Sequence, residues 1–174
     1  YRAGRIKHPV AAPSVAIASE RLAFRLDTYV EGLETAWGIQ FLPDGRLVVT
    51  EREGRLSVVA PGERTAVTVR GTPPVFCHQD GGMLDVIAHP DFARNGWLYL
   101  AHTEAAARGD GSMTVAVRGR IRAGQWVDQQ EIFRAAQTYY YPSHIHYGCR
   151  FLFDRAGHLF FTIGDRGQPE DAQN

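Results

Sequence analysis

Apolar and polar residues alternate with a period of two along most of the chain, and clusters of turn-forming residues separate the alternating runs. This alternation is typical of β-strands, and no segment sustains the 3.6-residue period of an amphipathic helix. Three pairs of runs are each joined by a short loop, at residues 39–50, 84–101 and 151–163. Further single strands are predicted at residues 56–59, 66–69, 114–122 and 126–133. The pattern therefore predicts an all-β chain built from a repeated hairpin unit.

The third hairpin has a histidine before its first strand and an aspartate after its second. Because a hairpin returns its far end to its start, His146 and Asp165 are expected at one rim of the sheet, within reach of each other. A carboxylate bound to one imidazole nitrogen fixes the tautomer and makes the other nitrogen a better base. The pair is a candidate for acid–base chemistry, although the same spacing also occurs in ordinary surface hydrogen bonds.

Charge and composition narrow the range of partners. The 174 residues are 44% hydrophobic, and 19 basic side chains balance 19 acidic ones. A net charge of zero removes any general electrostatic attraction to nucleic acid or to an anionic membrane surface. No apolar run is long enough to span a bilayer. We therefore expect neither a nucleic-acid partner nor a membrane span.

Three segments, in order along the chain, carry distinctive motifs. They are residues 34–56, with the run Ala-Trp-Gly-Ile-Gln-Phe-Leu-Pro-Asp-Gly-Arg, residues 81–100, which begin Gly-Gly-Met-Leu-Asp, and residues 146–167. These segments resemble the soluble pyrroloquinoline-quinone (PQQ) sugar dehydrogenases, the aldose or glucose/sorbosone dehydrogenase family. Together the three segments cover most of residues 22–168. A single motif of this kind would be weak support, whereas three in the family's order support the fold strongly.

The resemblance implies an all-β fold, a six-bladed β-propeller of which this chain supplies about the first half. Residues 1–20 are expected to form an N-terminal arm or linker, and residues 21–174 a partial propeller. Half a propeller has open sheet edges, so we expect missing sequence or a second chain to supply the C-terminal half. The small residues Ala16 and Ala18 faintly resemble an export cleavage site; the family resemblance itself implies a periplasmic or secreted protein.

The resemblance also implies an activity and a site. In the family, a His-Phe-Gly-Gly-Arg pattern holds the base that removes the proton from the anomeric hydroxyl of a sugar while hydride passes to PQQ. His146-Tyr-Gly-Cys-Arg150 matches this pattern, so His146 is the expected base and Asp165 its orienting partner. The cofactor-binding candidates are Asp80, His146 and Arg150. Calcium and most cofactor contacts are expected from the missing half.

Two positions depart from the family pattern and leave alternatives open. Asp80 stands where the family usually has a glutamine that bonds the cofactor, and Cys149 replaces a glycine. PQQ carries three carboxylates, so an unpaired Asp80 would repel it unless protonated or matched by a cation. One alternative is therefore a propeller of the same fold without PQQ. A further alternative is a non-catalytic binding or assembly module, since fold does not fix function.

The loops before the second and third hairpins suggest what a propeller without PQQ would bind. Both loops are expected at one rim, which would gather Cys77, His78, Asp80, His144, His146 and Cys149. Thiolate and imidazole are ligands for copper or zinc, although the spacing matches no closed zinc motif. Cys77, His78, His144 and Cys149 are the metal-ligand candidates. The two cysteines could also form a disulfide or remain free thiols.

Overall fold

The computed structural model describes residues 15–170, and the chain in this range is almost entirely β-structure. The strands are β1 (Val15–Ala18), β2 (Ala23–Leu26), β3 (Ala36–Phe41), β4 (Leu47–Glu51), β5 (Arg55–Val59), β6 (Val67–Val69), β7 (Met83–Ala88), β8 (Leu98–Ala105), β9 (Ser112–Arg122), β10 (Gln125–Arg134), β11 (Phe151–Phe153) and β12 (Leu159–Phe161). A single-turn helix, α1 (Phe92–Asn95), and a 3-10 turn (Gln137–Tyr139) complete the list. Every strand predicted from the alternation overlaps an observed one, so the predicted all-β class is confirmed.

Two four-stranded antiparallel sheets dominate the fold. The strand order is β3-β4-β5-β6 in the first sheet and β7-β8-β9-β10 in the second, so each sheet is a simple meander. The pair β11-β12 begins a third sheet. The leading strands β3, β7 and β11 are neighbours, because β7 contacts both β3 and β11. Successive sheets that stack through their first strands are the arrangement of propeller blades.

The N-terminal strands form a separate hairpin. β1 pairs with β2 in antiparallel register, with Ala16 opposite Arg25 and Ala18 opposite Ala23. The predicted N-terminal arm covers residues 1–20, of which residues 1–14 lie outside the described part of the chain. Its remaining residues contribute β1 and the turn that follows. At the other end of the chain, residues 171–174 also lie outside the described part.

The core fills the spaces between the blades. One buried cluster lies between the first two sheets and includes Val48, Leu56, Met83, Leu100 and Val115. A second cluster joins the second sheet to the third, and comprises Leu84, Tyr99, Ala101, Ala116, Tyr147, Cys149 and Phe151. Removal of this apolar surface from water is the main force that holds one blade on the next.

The outer faces of the first and third sheets carry exposed apolar side chains. On β3, Ile39 and Phe41 lie opposite Val49 and Leu47 and share their face, which points away from the second sheet. Val49 and Leu47 are buried, whereas Ile39 and Phe41 are exposed. On the third sheet, Leu152 and Phe160 are paired and exposed on the corresponding far face. Apolar faces of this kind are typical of surfaces that further structure covers.

The connections between strands alternate between two rims because the strands are antiparallel. We call the ends near residues 52–54, 76–82, 106–111, 143–148 and 164–167 the first rim. The turns at residues 42–46, 89–97, 123–124 and 154–158 form the opposite rim. All the residues predicted from the sequence to carry chemistry lie on loops of the first rim or next to them. Within residues 15–170, no helix is long and apolar enough to cross a membrane.

Candidate functional site at the first rim

His146 and Asp165 meet at the first rim, as the hairpin spacing predicts. Nδ1 of His146 lies 2.7 Å from Oδ1 of Asp165, and the two side chains are 54% and 26% exposed. The same Oδ1 accepts the Gly167 N–H at 2.9 Å. This backbone donor, followed by the bond to His146, holds the pKa of Asp165 below its usual value. Asp165 is therefore ionised at neutral pH and accepts the Nδ1 proton, which leaves Nε2 of His146 as the basic nitrogen.

The backbone of His146 is held in an unusual conformation. Its φ is 54°, in the left-handed region that residues with a side chain rarely adopt, and Gln79 and Arg166 on the same rim share this property. The loop of His146 also approaches the loop of Asp165 very closely. A Cβ on Gly164 would lie 2.0 Å from the carbonyl oxygen of His146. Only glycine permits this approach, and backbone strain of this kind concentrates at functional sites.

Asp80, a predicted cofactor contact, connects its own loop to the loop of His146. Its backbone N–H donates to the carbonyl of His144 at 3.1 Å, and its Oδ2 accepts the backbone N–H of His146 at 3.3 Å. The carboxylate therefore has a positioning contact in this chain, whereas the sequence indicated only a charge facing the cofactor. Asp80 is exposed, so its second oxygen can still face a ligand at the rim.

Arg150, the second predicted cofactor contact, forms an ion pair within the protein. Its Nη1 donates to Oδ1 of Asp85 at 3.1 Å, and the buried Asp85 also accepts the Phe151 N–H at 2.8 Å. The Arg150 side chain is nevertheless 70% exposed. Its guanidinium has five N–H donors, so donors remain for a second anion at the surface.

The sequence did not point to Arg52, which lies beside Asp80. Its Nη1 donates to the carbonyl of Gln79 at 2.6 Å, and its buried Nε has no partner within residues 15–170. Arg52 follows β4 directly, in the first of the three segments that resemble the family. Its place on a turn of the first rim was a signal that could have been used, because every second connection of a meander reaches that rim.

Arg166 and Tyr147, also not selected from the sequence, are buried next to the His146–Asp165 pair. The Arg166 side chain is buried, and its guanidinium lies 3.8 Å from the centroid of the Tyr147 ring. Tyr147 OH is 2.6 Å from Oγ of Ser112, and burial raises the pKa of this tyrosine. Arg166 sits between Asp165 and Gly167 in the turn that was selected for Asp165 alone. A positively charged residue in that turn does not by itself indicate a functional role, because the sequence does not show which groups surround it.

Within residues 15–170, the four metal-ligand candidates do not come together as one cluster. His78 and His144 are close, with ring centroids 4.8 Å apart, but the cysteines do not join them. Cys77 is exposed, while Cys149 is buried in the cluster between the second and third sheets, where burial raises its pKa to about 12. Within the described residues, no group of three or more His, Cys, Asp and Glu side chains could hold a metal ion. Both cysteines are free thiols, so the disulfide alternative is also wrong.

Clefts adjoin the blades at both rims of the described part of the chain. A cleft of about 490 Å³ lies beside Asp165 and is lined by Met113, Phe133, Tyr139, Tyr141 and Ile163 among others. A larger one, about 770 Å³, lies at the opposite rim between the first two blades. The larger cleft contains none of the residues selected for chemistry, so its size alone does not mark it as the functional site.

Comparison with known proteins agrees with this architecture. The chain is 32% identical over 148 residues to the uncharacterized protein slr1608 of Synechocystis, covering 80% of this chain and 35% of that protein. It is 29% identical over 169 residues to the aldose sugar dehydrogenase YliI of Escherichia coli, covering 95% of this chain and 45% of that protein. The chain thus spans less than half the length of these relatives.

Solved structures also match most of this chain and less than half of their own length. A glucose dehydrogenase superposes with a TM-score of 0.78 at 32% identity, over 84% of this chain and 43% of that one. The PQQ-bound aldose sugar dehydrogenase of Streptomyces coelicolor shares the fold, with a TM-score of 0.69 at 24% identity over 86% of this chain and 43% of its own.

The fold and these matches define a class, the β-propellers of the sugar dehydrogenase type. Residues 33–174 match the Glucose / Sorbosone dehydrogenase family, and the chain belongs to that family. The predicted fold, about the first half of a six-bladed β-propeller, is confirmed: two complete blades and the start of a third align with 43% of the solved propeller.

Proposed function

We propose that the complete protein is a PQQ-dependent dehydrogenase that oxidises a sugar at its anomeric carbon, with His146 as the general base. The observation that carries the proposal is the 2.7 Å bond between Nδ1 of His146 and Oδ1 of Asp165, in a chain of the Glucose / Sorbosone dehydrogenase family. The other nitrogen of His146 belongs to a half-exposed ring at the rim, where a sugar hydroxyl can reach it.

In the proposed reaction, Nε2 of His146 takes the proton of the anomeric hydroxyl. The C–H bond at the same carbon breaks with its electron pair, and a C=O bond forms between that carbon and its oxygen. When bound, the quinone supplies the acceptor for this hydride. Asp165 stays ionised, keeps Nδ1 protonated and stabilises the imidazolium that the proton transfer creates.

The residues of the first rim suit an anionic quinone. Arg52 and Arg150 supply two guanidinium groups for a ligand with three carboxylates, and the buried Nε of Arg52 lacks a partner within residues 15–170. Each arginine also pairs with a carboxylate of this chain, Glu53 at 3.8 Å and Asp85 at 3.1 Å. The carboxylate of Asp80 repels the carboxylates of the quinone. It accepts the backbone N–H of His146, and this hydrogen bond offsets part of the repulsion. Asp80, His146 and Arg150 remain our proposed contacts of the cofactor on this chain.

The remainder of the propeller is the second part of the proposal. The exposed apolar faces around Ile39 and Phe41, and around Leu152 and Phe160, indicate that further blades pack on both sides. We propose that additional sequence or a second chain supplies these blades together with calcium and most cofactor contacts. A periplasmic or secreted location is also part of the proposal, and it rests on the family resemblance.

The experiment that tests this function is reconstitution of the complete protein with PQQ and Ca²⁺. We expect an aldose to reduce a redox dye only when both are present, and calorimetry to detect PQQ binding in the absence of sugar. PQQ binding without turnover of any aldose would contradict the sugar dehydrogenase. Absence of PQQ binding in the folded, complete protein would instead favour the non-catalytic binding or assembly module.

A further inference from the structure

Arg166 is buried in a way that is costly for a cation. Its side chain is only 2% exposed, and burial lowers its pKa. A guanidinium keeps its charge even so, and a buried charge must find compensating hydrogen bonds. Within residues 15–170, no carboxylate forms an ion pair with Arg166; its charge is met by carbonyl dipoles and by the face of the Tyr147 ring at 3.8 Å.

The carbonyls that Arg166 contacts belong to the loop of His146 and to the strand beneath it. Nε donates to the carbonyl of Ile145 at 3.0 Å, Nη1 to the carbonyl of Ser112 at 2.9 Å, and Nη2 to the carbonyl of Ser143. Ile145 and Tyr147 are the residues on either side of His146. The guanidinium thus holds both neighbours of His146, while its own backbone continues directly from Asp165.

The strand contributes a second layer of contacts. Oγ of Ser112 is 2.6 Å from Tyr147 OH and 3.1 Å from Nδ1 of His144, and the Thr114 hydroxyl donates to the carbonyl of Tyr147 at 3.0 Å. Because β9 is a central strand of the second sheet, these contacts fix the loop to a rigid element. Through one guanidinium, Arg166 joins this strand and the His146 loop to the Asp165 turn.

We infer that Arg166 is a positioning residue, which holds the His146 loop against the Asp165 turn and so keeps the Nδ1–Oδ1 bond at 2.7 Å. The catalytic part of the inference rests on the proposed function. The left-handed φ angles of both His146 and Arg166 are disfavoured for residues with a side chain. Without the guanidinium, the loop is therefore expected to relax and His146 to lose its fixed tautomer.

The test compares Arg166→Met with Arg120→Met in the complete protein. Arg120 is a matched control, since its guanidinium also stacks on an aromatic ring, Trp97 at 3.6 Å, and its Nε donates to a carbonyl, that of Asn95 at 2.7 Å. It lies near the opposite rim and forms an ion pair with Asp128. Both substitutions replace a stacked guanidinium by an uncharged side chain of similar length. Of the two arginines, Arg166 is the one that contacts the His146 loop.

Three readouts are taken for each variant: the melting temperature, the ¹⁵N signals of the His146 ring, and kcat and KM. We expect Arg166→Met to lower kcat by about 10- to 100-fold, as is usual when a group that orients a functional side chain is lost. KM for the sugar should change little, and the ¹⁵N signals should show a mixture of tautomers in place of one protonated at Nδ1. Arg166→Lys should recover part of both effects, because an ammonium can still donate to the carbonyls.

Two results would overturn the inference. One is an Arg166→Met protein with the wild-type tautomer of His146 and an unchanged kcat. The other is equal loss of stability and of kcat in the Arg166 and Arg120 variants, with no change in tautomer, which would give Arg166 a structural role only. If Arg166→Met does not fold, Arg166→Lys provides the same readouts. The ¹⁵N signals need no turnover, so they test the positioning even if the wild type oxidises no sugar and the proposed function fails.

Discussion

The third hairpin carries two histidine–aspartate pairs, one at each rim. At the first rim, Nδ1 of His146 is 2.7 Å from Asp165, and at the opposite rim, Nδ1 of His158 is 2.8 Å from Asp154. The bond lengths and atom types are alike. Taken without its surroundings and the family match, the hydrogen bond therefore does not distinguish a candidate active site from an ordinary turn.

What differs is the surroundings of each pair. His158 and Asp154 lie four residues apart in a single turn, with side chains 72% and 37% exposed, and the carboxylate also accepts the backbone N–H groups of Ala156 and His158. The pair of His146 joins two separate loops. It has Asp80 on its backbone N–H and a buried arginine beneath it. Long-range contacts thus hold the geometry of the first pair, as the proposed role of His146 as a general base requires.

The largest expected effect separates the two histidines. His146→Ala should lower kcat of the complete protein by about 10²- to 10⁴-fold, the usual contribution of a general base. His158→Ala should leave kcat near the wild-type value, because its ring bonds to Asp154 in its own turn, at the rim opposite His146. Steady-state dye reduction measures both variants, and their melting temperatures serve as controls for folding. Retained activity in His146→Ala would remove the general-base assignment.

The two aspartates extend the comparison. Asp165→Asn should lower kcat strongly, because an amide can present its N–H to Nδ1 and favour the wrong tautomer. Asp154→Asn should have little effect on turnover. PQQ affinity, measured by calorimetry, should be unchanged in both variants. If Asp165→Asn fails to fold, Asp165 is a structural turn residue and its catalytic assignment is wrong.

Two glycines next to the pairs allow a comparison of backbone geometry. Gly164→Ala would place a Cβ 2.0 Å from the carbonyl of His146, so the loops must separate and kcat should fall. Gly157 is at φ +87° with nothing within 4 Å of its Cβ position. Gly157→Ala should therefore cost roughly 1–2 kcal/mol of stability from its left-handed φ, with kcat retained. Denaturation and turnover measured together test this, and equal kcat in the two variants would contradict the close approach of the loops.

The smallest expected effect concerns the pKa values of the two carboxyl groups. Here the larger change is expected at Asp154 and the smaller one at Asp165. Hydrogen bonds lower the pKa of both aspartates, first from the His158 side chain for Asp154, and first from the Gly167 N–H for Asp165. His158→Ala should thus raise the Asp154 pKa by more than His146→Ala raises the Asp165 pKa, because the histidine side chain is the largest cause of the lowered pKa at Asp154 but second to the Gly167 N–H at Asp165. Carboxyl ¹³C titration measures both, and a larger shift at Asp165 would contradict the ranking.

The sign of the pH dependence is the same for the two aspartates. Each pKa is lower in the folded protein than in the unfolded chain, so each carboxylate stabilises the fold above its ordinary pKa. That stabilisation is lost as the pH falls through the folded value. We measure the free energy of unfolding by denaturation at several pH values below neutral. The contribution of each aspartate to it should decrease as the pH falls.

Much of the fold and one contact of the site could be predicted from the sequence. The period-two alternation is a local property of each strand, so it located β3 to β12 and the hairpin repeat without knowledge of their packing. It did not predict β1 and β2, the N-terminal hairpin. The motifs led to the correct family. The meeting of His146 and Asp165 followed from the same local rule, because a hairpin fixes where its two ends lie. The catalytic role of that pair stays a prediction.

Only the tertiary structure decided what surrounds the pair. The sequence placed Cys77 and Cys149 in one neighbourhood, but the side chain of Cys149 turns into the core between two blades while Cys77 stays exposed. It gave no reason to select Arg166, whose partners on Ser112 and Ile145 are 54 and 21 residues away. Such contacts depend on how blades stack and on where each side chain points, and these are properties of packing that no local pattern of residues encodes.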